Sequence, residues 1–323
     1  MKNITSLIVL VTIISAFFAV NNAYSDTGGR YKFSIGPKVG FVHGQALELV
    51  YPLPGQTKAE LLSELKWDMK PVFYLGLNME FGRADIMSRL GFFSSISFKA
   101  GLPGDSGRLE NRDWQNPLND SLTDFSSHTN RTQEFFWLDT SIGISIPIRP
   151  YFFIKPFLSG SWMRFAFSGR DGYGIYDWYN DSEISFEGQE VIRYRQDWFL
   201  AAAGLTFGAR FASNFQIAFS FQISPFTYCN ARDDHLSVQI QNIQTPHRIY
   251  LDSTYRGLFM EPGVSLTYLM RRTELSLDFS YRHIGRTVGE THMSVNNTSF
   301  ELDNKAGAGL KLINLSLLAK IRL

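Results

Sequence analysis

The sequence predicts an all-β fold: a ten-stranded antiparallel transmembrane β-barrel of the outer-membrane type with a long extracellular extension. Three observations carry this reading. Apolar residues alternate with polar or small ones along segment after segment, short turns alternate with long polar excursions, and the N-terminus reads as an export leader. The alternation matters most, because successive strand side chains point to opposite faces and only a sheet with one apolar face writes a period of two.

Lys2 supplies a positive start, Leu7 to Val20 is nearly all apolar, and Ala23-Tyr24-Ser25 fits a small-x-small cleavage site. The apolar run falls short of the ~20 residues a membrane-crossing helix needs. Residues 1–25 are therefore taken as a signal peptide and 26–323 as the barrel. Cys229 is the only cysteine, which leaves neither a lipid-attachment cysteine near the cleavage site nor a disulfide framework. Without residues 1–25, and so without Lys2, basic and acidic residues balance, which argues against nucleic acid as a partner. Aromatic residues make up 15% of the chain, yet no later segment has spanning length as a helix. Rings in such numbers fit strands that face lipid and form belts at both interfaces.

The strands follow in order. Phe73, Leu75, Leu77, Met79 and Phe81 alternate with Tyr74, Gly76, Asn78 and Glu80. Leu90, Phe92, Ile96 and Phe98 repeat the pattern, as do Phe136 to Ile148, Phe215 to Ile223 and Leu275 to Tyr281. Tight turns are expected at Gly82-Arg83, Arg149-Pro150, Ala212-Ser213-Asn214 and Arg271-Arg272-Thr273. Polar excursions are expected near 51–60, 103–130, 172–188, 229–247 and 284–305. Strands are placed near 31–50, 60–81, 84–103, 130–148, 151–171, 188–211, 214–236, 246–271, 273–295 and 306–323. Segments of about twenty residues exceed the ~9–11 tilted residues that cross the hydrocarbon, so the surplus should stand outside as a polar wall. A soluble β-sandwich is the alternative, and a length of strand carrying an apolar outer face argues against it.

The polar residues near the long loops are the candidates for chemistry. Four stretches stand out in order: Gly44-Gln45-Ala46-Leu47-Glu48-Leu49-Val50-Tyr51, Glu110-Asn111-Arg112-Asp113-Trp114, Thr123-Asp124-Phe125-Ser126-Ser127-His128 and Asp233-Asp234-His235. Together they resemble the omptin family of outer-membrane proteases, whose patterns are G-x-x-x-E-x-V-Y, D-x-D-W, T-D-x-S-x-H and D-x-H. The resemblance implies a bacterial outer-membrane, aspartic-type endopeptidase (a hydrolase) in which an Asp-His pair and an Asp-Asp pair activate a water. On this chain the catalytic positions fall on Asp233, His235, Asp113 and Asn111. Asn111 stands where the family has an Asp, and it can neither ionise nor share a proton, so activity is expected to be reduced, altered or lost.

The resemblance further implies substrate binding by Glu48 and Asp124, with cationic peptides or proteins as substrates cut near basic residues. Ala231 replaces a pocket acid, which should weaken that selectivity. Lipopolysaccharide is implied as activator and lipid partner, held in part by Arg164, although Trp162 and Asp197 depart from the expected neighbours. No cofactor is expected, and the six scattered histidines suggest no metal site.

The residues carry part of this by themselves. Asp233 with His235, and Asn111 with Asp113, are i,i+2 pairs and share a face of a strand. An Asp beside a His fixes its tautomer and is expected to favour its protonated form. The plainer alternatives are an exposed loop histidine for His235, solvated charges for Asp233 and Glu48, an Asx-type turn for Asn111 and Asp113, and a snorkelling cation for Arg164. Parity raises a difficulty: Asp233 and His235 share odd numbering with the lipid-facing Phe215 to Ile223. A bulge at Pro225 is expected to reset the phase, turning Phe226 and Tyr228 out and the pair in. Two other readings stay open: a noncatalytic barrel acting as adhesin or receptor, and a pore, although ten strands should enclose a lumen mostly filled by side chains.

Overall fold

The computed structural model describes residues 31–83, 90–149, 151–179, 182–212, 214–240, 243–295 and 298–323. The leader at 1–25, the opening residues of the third predicted strand, Pro150 and Ser213 lie outside the described residues. Ten long strands form a ring. They are β1 (Tyr31–Tyr51), β2 (Ser63–Arg83), β3 (Gly91–Gly101 continuing as Gly104–Asp113), β4 (Asp124–Arg149) and β5 (Phe152–Tyr176). Then come β6 (Glu190–Phe211), β7 (Phe215–Ser224 and Thr227–His235), β8 (Arg248–Tyr255 and Phe259–Leu269), β9 (Thr273–Ile284 and Val288–Val295) and β10 (Thr298–Arg322). Each pairs antiparallel with its neighbours in sequence, and β10 closes on β1 with Val39 opposite Leu317. Closure leaves no sheet edge to satisfy in lipid.

One expectation is corrected. The stretches 103–130 and 284–305, read as polar excursions, are largely strand: β3 runs on to Asp113, β4 begins at Asp124, and β10 begins at Thr298. Above the lipid both faces of a strand are polar, so the contrast that betrays period two is missing while the ladder continues.

The lower half shows why the apolar rows alternate. Phe73, Leu75, Phe98, Ile142, Phe219, Leu277 and Leu317 point outward and are exposed, as lipid contact requires. Inward, Arg282 bonds Glu261 and Asp139, while Lys320 pairs with Glu80 and Glu274 around a polar cavity of about 410 Å³. Higher up the lumen is packed shut. Trp67 stacks between Phe167 and Tyr194 at centroid distances of 5.6 and 5.3 Å, with Phe135, Phe165, Trp137 and Trp198 buried around them. Lys99 Nζ lies 3.4 Å from the Trp137 ring and Arg282 4.1 Å from it, so cations cap this layer from below. Burying one such aromatic contributes roughly 1.5–3 kcal/mol, and together they make a floor between the polar cavity and the cleft above.

Three adjacent strands change phase at one level. In β7, Ala203 of β6 faces Ile223 and Leu200 faces Thr227, so β7 carries one extra residue there. Ser224 Oγ caps the irregularity, accepting from Phe226 N at 2.8 Å and donating to the Ala201 carbonyl. In β8 the break is at 256–258, where Thr227 Oγ1 exchanges 2.8 Å hydrogen bonds with the carbonyl and amide of Gly257. A Cβ on Gly257 would come within 2.6 Å of the Gly285 carbonyl oxygen, which requires glycine at this approach. In β9 the break is at 285–287, where Thr287 Oγ1 donates to the Ala308 carbonyl and accepts from its amide. Outward residues below these breaks have the parity of inward residues above them.

Candidate active site

Above the aromatic floor the strands enclose a cleft, and the reset on β7 turns Asp233 and His235 into it. Phe226 and Tyr228 are exposed outside while Asp233 is buried, the arrangement expected from a bulge at Pro225. His235 Nε2 lies 2.6 Å from Asp233 Oδ2. The imidazole is open to the cleft on one side and meets Tyr250 edge-on at 5.4 Å on another. Burial holds its pKa below the ordinary value, outweighing Glu48 and Asp113, which pull upward. That shift runs against the protonated form expected beside an aspartate, while the 2.6 Å contact lets Nε2–H donate to Asp233 in either protonation state.

On the facing wall, Asn111 and Asp113 lie on the upper part of β3 between β2 and β4. They sit on a regular strand, not an Asx-type turn. Ser63 Oγ donates to Asn111 Oδ1 at 3.2 Å, and Asn111 Nδ2 donates to Asp113 Oδ2 at 3.2 Å. Burial raises Asp113 to about 6, helped by the charge of Asp124, against the hydrogen bonds from Ser63 and Asn111. Glu110 points away and pairs with Arg112 at 2.9 Å.

Glu48, on β1 opposite Ala308 and Leu65, is buried beside Asp233. Burial, then the charges of Asp233 and Asp252, push its carboxyl well up. Burial likewise pushes the Asp233 carboxyl well up, the bond to Glu48 offsetting only part of it, so the two adjacent carboxyls hold a proton between them. Asp252, on β8, completes this acidic group; burial lifts its pKa to about 6. Sequence reading passed over it, because no motif surrounds it and its even number matches the lipid-facing Val264, Leu266 and Tyr268. Only the phase change at 256–258 turns it inward.

Asp124 lies directly opposite Asp113 on the β3–β4 ladder but is buried, accepting from Gln115 Nε2 at 3.2 Å and from Asp177 N at 3.1 Å. His128 is also buried. Nδ1 is 2.6 Å from the Asp171 carbonyl and Nε2 3.1 Å from Ser126 Oγ, and burial lowers its pKa. A neutral His128 thus donates from Nδ1, accepts at Nε2, and ties β4 to the β5 corner. Arg164 is remote from the cleft, on the outer face of β5. Its Nε donates to Asp197 Oδ1 at 2.7 Å, and Arg195 Nε lies 3.2 Å from Asp197 Oδ2. Among the described residues no group of three or more His, Cys, Asp or Glu could hold a metal ion.

The fold and the cleft define a bacterial outer-membrane β-barrel whose acids and histidine converge above the bilayer. Residues 29–322 match the omptin family model, and the chain belongs to the omptin family, outer-membrane proteases of bacteria. No curated protein matches it in sequence. Among solved structures it is similar to the outer membrane protease OmpT from Escherichia coli, with 19% identity, a TM-score of 0.78, and 90% of this chain and 97% of that chain covered. That likeness is one of fold. The Pseudomonas putida toluene transporter TodX overlaps 91% of this chain and 90% of that chain, with 10% identity and a TM-score of only 0.35.

Proposed function

We propose that the chain is an omptin-type endopeptidase that hydrolyses cationic peptides in the cleft outside the membrane. The observation that carries this reading is the Asp233–His235 contact of 2.6 Å facing the Asn111–Asp113 pair. Asp233 accepts from Nε2–H and fixes the tautomer, leaving Nδ1 as the basic nitrogen. Asp113 and Asn111 hold a water against the scissile carbonyl. His235 Nδ1 takes a proton from that water as its oxygen bonds to the carbonyl carbon. It then gives the proton to the departing amine nitrogen as the C–N bond breaks. Glu48 is a positioning residue in this scheme, since its carboxyl shares a proton with Asp233 and holds it toward His235. Asp124, enclosed by Gln115 and the Asp177 amide, acts on substrate through its charge near Asp113. On the outer face Arg164 and Arg195 share one carboxylate, Asp197, which leaves net positive charge for an anionic headgroup such as that of lipopolysaccharide.

The test is refolded protein with lipopolysaccharide and a dibasic peptide. Cleavage should exceed that of a His235→Ala control, and its absence overturns the reading. The second reading, a noncatalytic barrel working through its loops, is favoured by one observation: Asn111 already satisfies Ser63 and Asp113 with hydrogen bonds that need no ionisation.

A further inference from the structure

Ala231 and Asp252 face each other across the β7–β8 ladder, so both point into the cleft. Asp252 is 7% exposed and Glu48 4%, yet among the described residues Asp252 Oδ1, Glu48 Oε2 and the neighbouring Asp233 Oδ1 have no hydrogen-bond partner. A buried carboxylate oxygen without a partner costs free energy, and a deep site retains one when something from outside completes it. The neighbouring inward positions hold Ala231, Cys229, Thr254, Thr291, Tyr194 and Ala308, none of them basic. Asp252 lies two residues further toward the membrane than Tyr250, which faces Asp233, and so about 7 Å deeper. That depth suits a long side chain passing beneath the Asp233–His235 pair with its charged end at the bottom, and the alanines leave the walls apolar for its methylene stem.

We infer that Asp252, standing across from Ala231 on the adjacent strand, is the specificity-determining acid of this cleft and receives the cationic end of a lysine or arginine side chain of the substrate. The inference rests on the endopeptidase reading for the substrate's place and replaces the expectation that Ala231 weakens basic selectivity. Glu48 does not serve equally, because its carboxyl is engaged with Asp233.

Two assays on refolded protein separate this inference from that reading. In the first, matched peptides carry lysine or norleucine before the scissile bond. Asp252→Asn should lower kcat/KM for the lysine peptide about 30-fold or more beyond any loss for the norleucine peptide. Adding Ala231→Asp to Asp252→Asn should recover the lysine preference. In the second, binding of a fluorescent dibasic peptide to the His235→Ala protein is followed by anisotropy, which needs no turnover, and Asp252→Asn should weaken binding by a similar factor. If the unaltered chain cleaves nothing, the endopeptidase reading fails and binding alone decides the role of Asp252. An equal loss for both peptides, a double variant as poor as Asp252→Asn, or binding that is absent or indifferent to Asp252→Asn overturns the inference.

Discussion

Asn111 Nδ2 donates to Asp113 Oδ2 across 3.2 Å on one face of β3, so the carboxylate opposite His235 is supported by an amide and not by a second acid. The hydrogen bond favours an ionised Asp113, whereas a carboxyl at 111 would share a proton with it.

Asn111→Asp should therefore raise the rate of peptide hydrolysis, by about tenfold if proton sharing at the water is the missing element. Single-turnover kinetics at saturating peptide would read this directly. An unchanged rate in an active protein would remove the pair from the reacting centre.

Asp233→Asn keeps the shape of the side chain but disturbs the tautomer of His235, since an amide nitrogen placed toward Nε2 donates where the carboxylate accepts. A fall in kcat of about 10²-fold or more, with KM little changed, is the expected outcome. Steady-state kinetics on one peptide would check it, and a change confined to KM would contradict the role.

The pH dependence follows from Asp113. Its carboxyl is raised to about 6, chiefly by burial, so it ionises as pH rises through that value, and kcat/KM should climb through pH ~6. Burial shifts His235 in the same useful sense, toward the neutral base. Asn111→Ala removes a hydrogen bond that lowers Asp113, so the midpoint of the climb should move to higher pH. A midpoint unmoved by Asn111→Ala would assign the limb to another group.

Asp252 carries a stability cost with a definite sign. Its folded pKa of about 6 lies above the ~3.9 of an unperturbed aspartate, so the folded state holds the proton more tightly. Stability is then lost as pH rises through the interval between those values and stays lost above it. Asp252→Asn should stabilise the barrel at pH 8 by on the order of 2–3 kcal/mol and have little effect below pH 4. Urea unfolding in detergent at the two pH values would show it, and an equal effect at both would mean that burial of the charge is not the cause.

The barrel was legible wherever lipid imposes contrast between faces. Phe215 to Ile223 and Leu275 to Tyr281 mark their strands unaided. Glu110–Asp113 and Asp124–Asn130 do not, because both faces of those strands meet polar groups, and hydrogen-bonded ladders leave no trace in side-chain pattern. The pair on β7 could be oriented from sequence because Pro225 announced the irregularity. Asp252 could not: its strand changes phase at Tyr255-Arg256-Gly257, where Arg256 adopts φ 69° without a proline to signal it. The downward shift of His235 was equally hidden, since it depends on burial contributed by strands distant in sequence.

The three aligned breaks in β7, β8 and β9 also divide the labour of selection along the chain. Below them, every second residue is constrained by an oily solvent; above them, the opposite set is constrained by a reaction. Because the frame changes between the two, a substitution rule learned from one half of a strand inverts in the other. A charge tolerated at an odd position of upper β7, where Asp233 and His235 stand, would be expelled from the lipid face at Phe219 or Phe221. The cleft can therefore be rewritten residue by residue while the membrane wall beneath it keeps its own grammar.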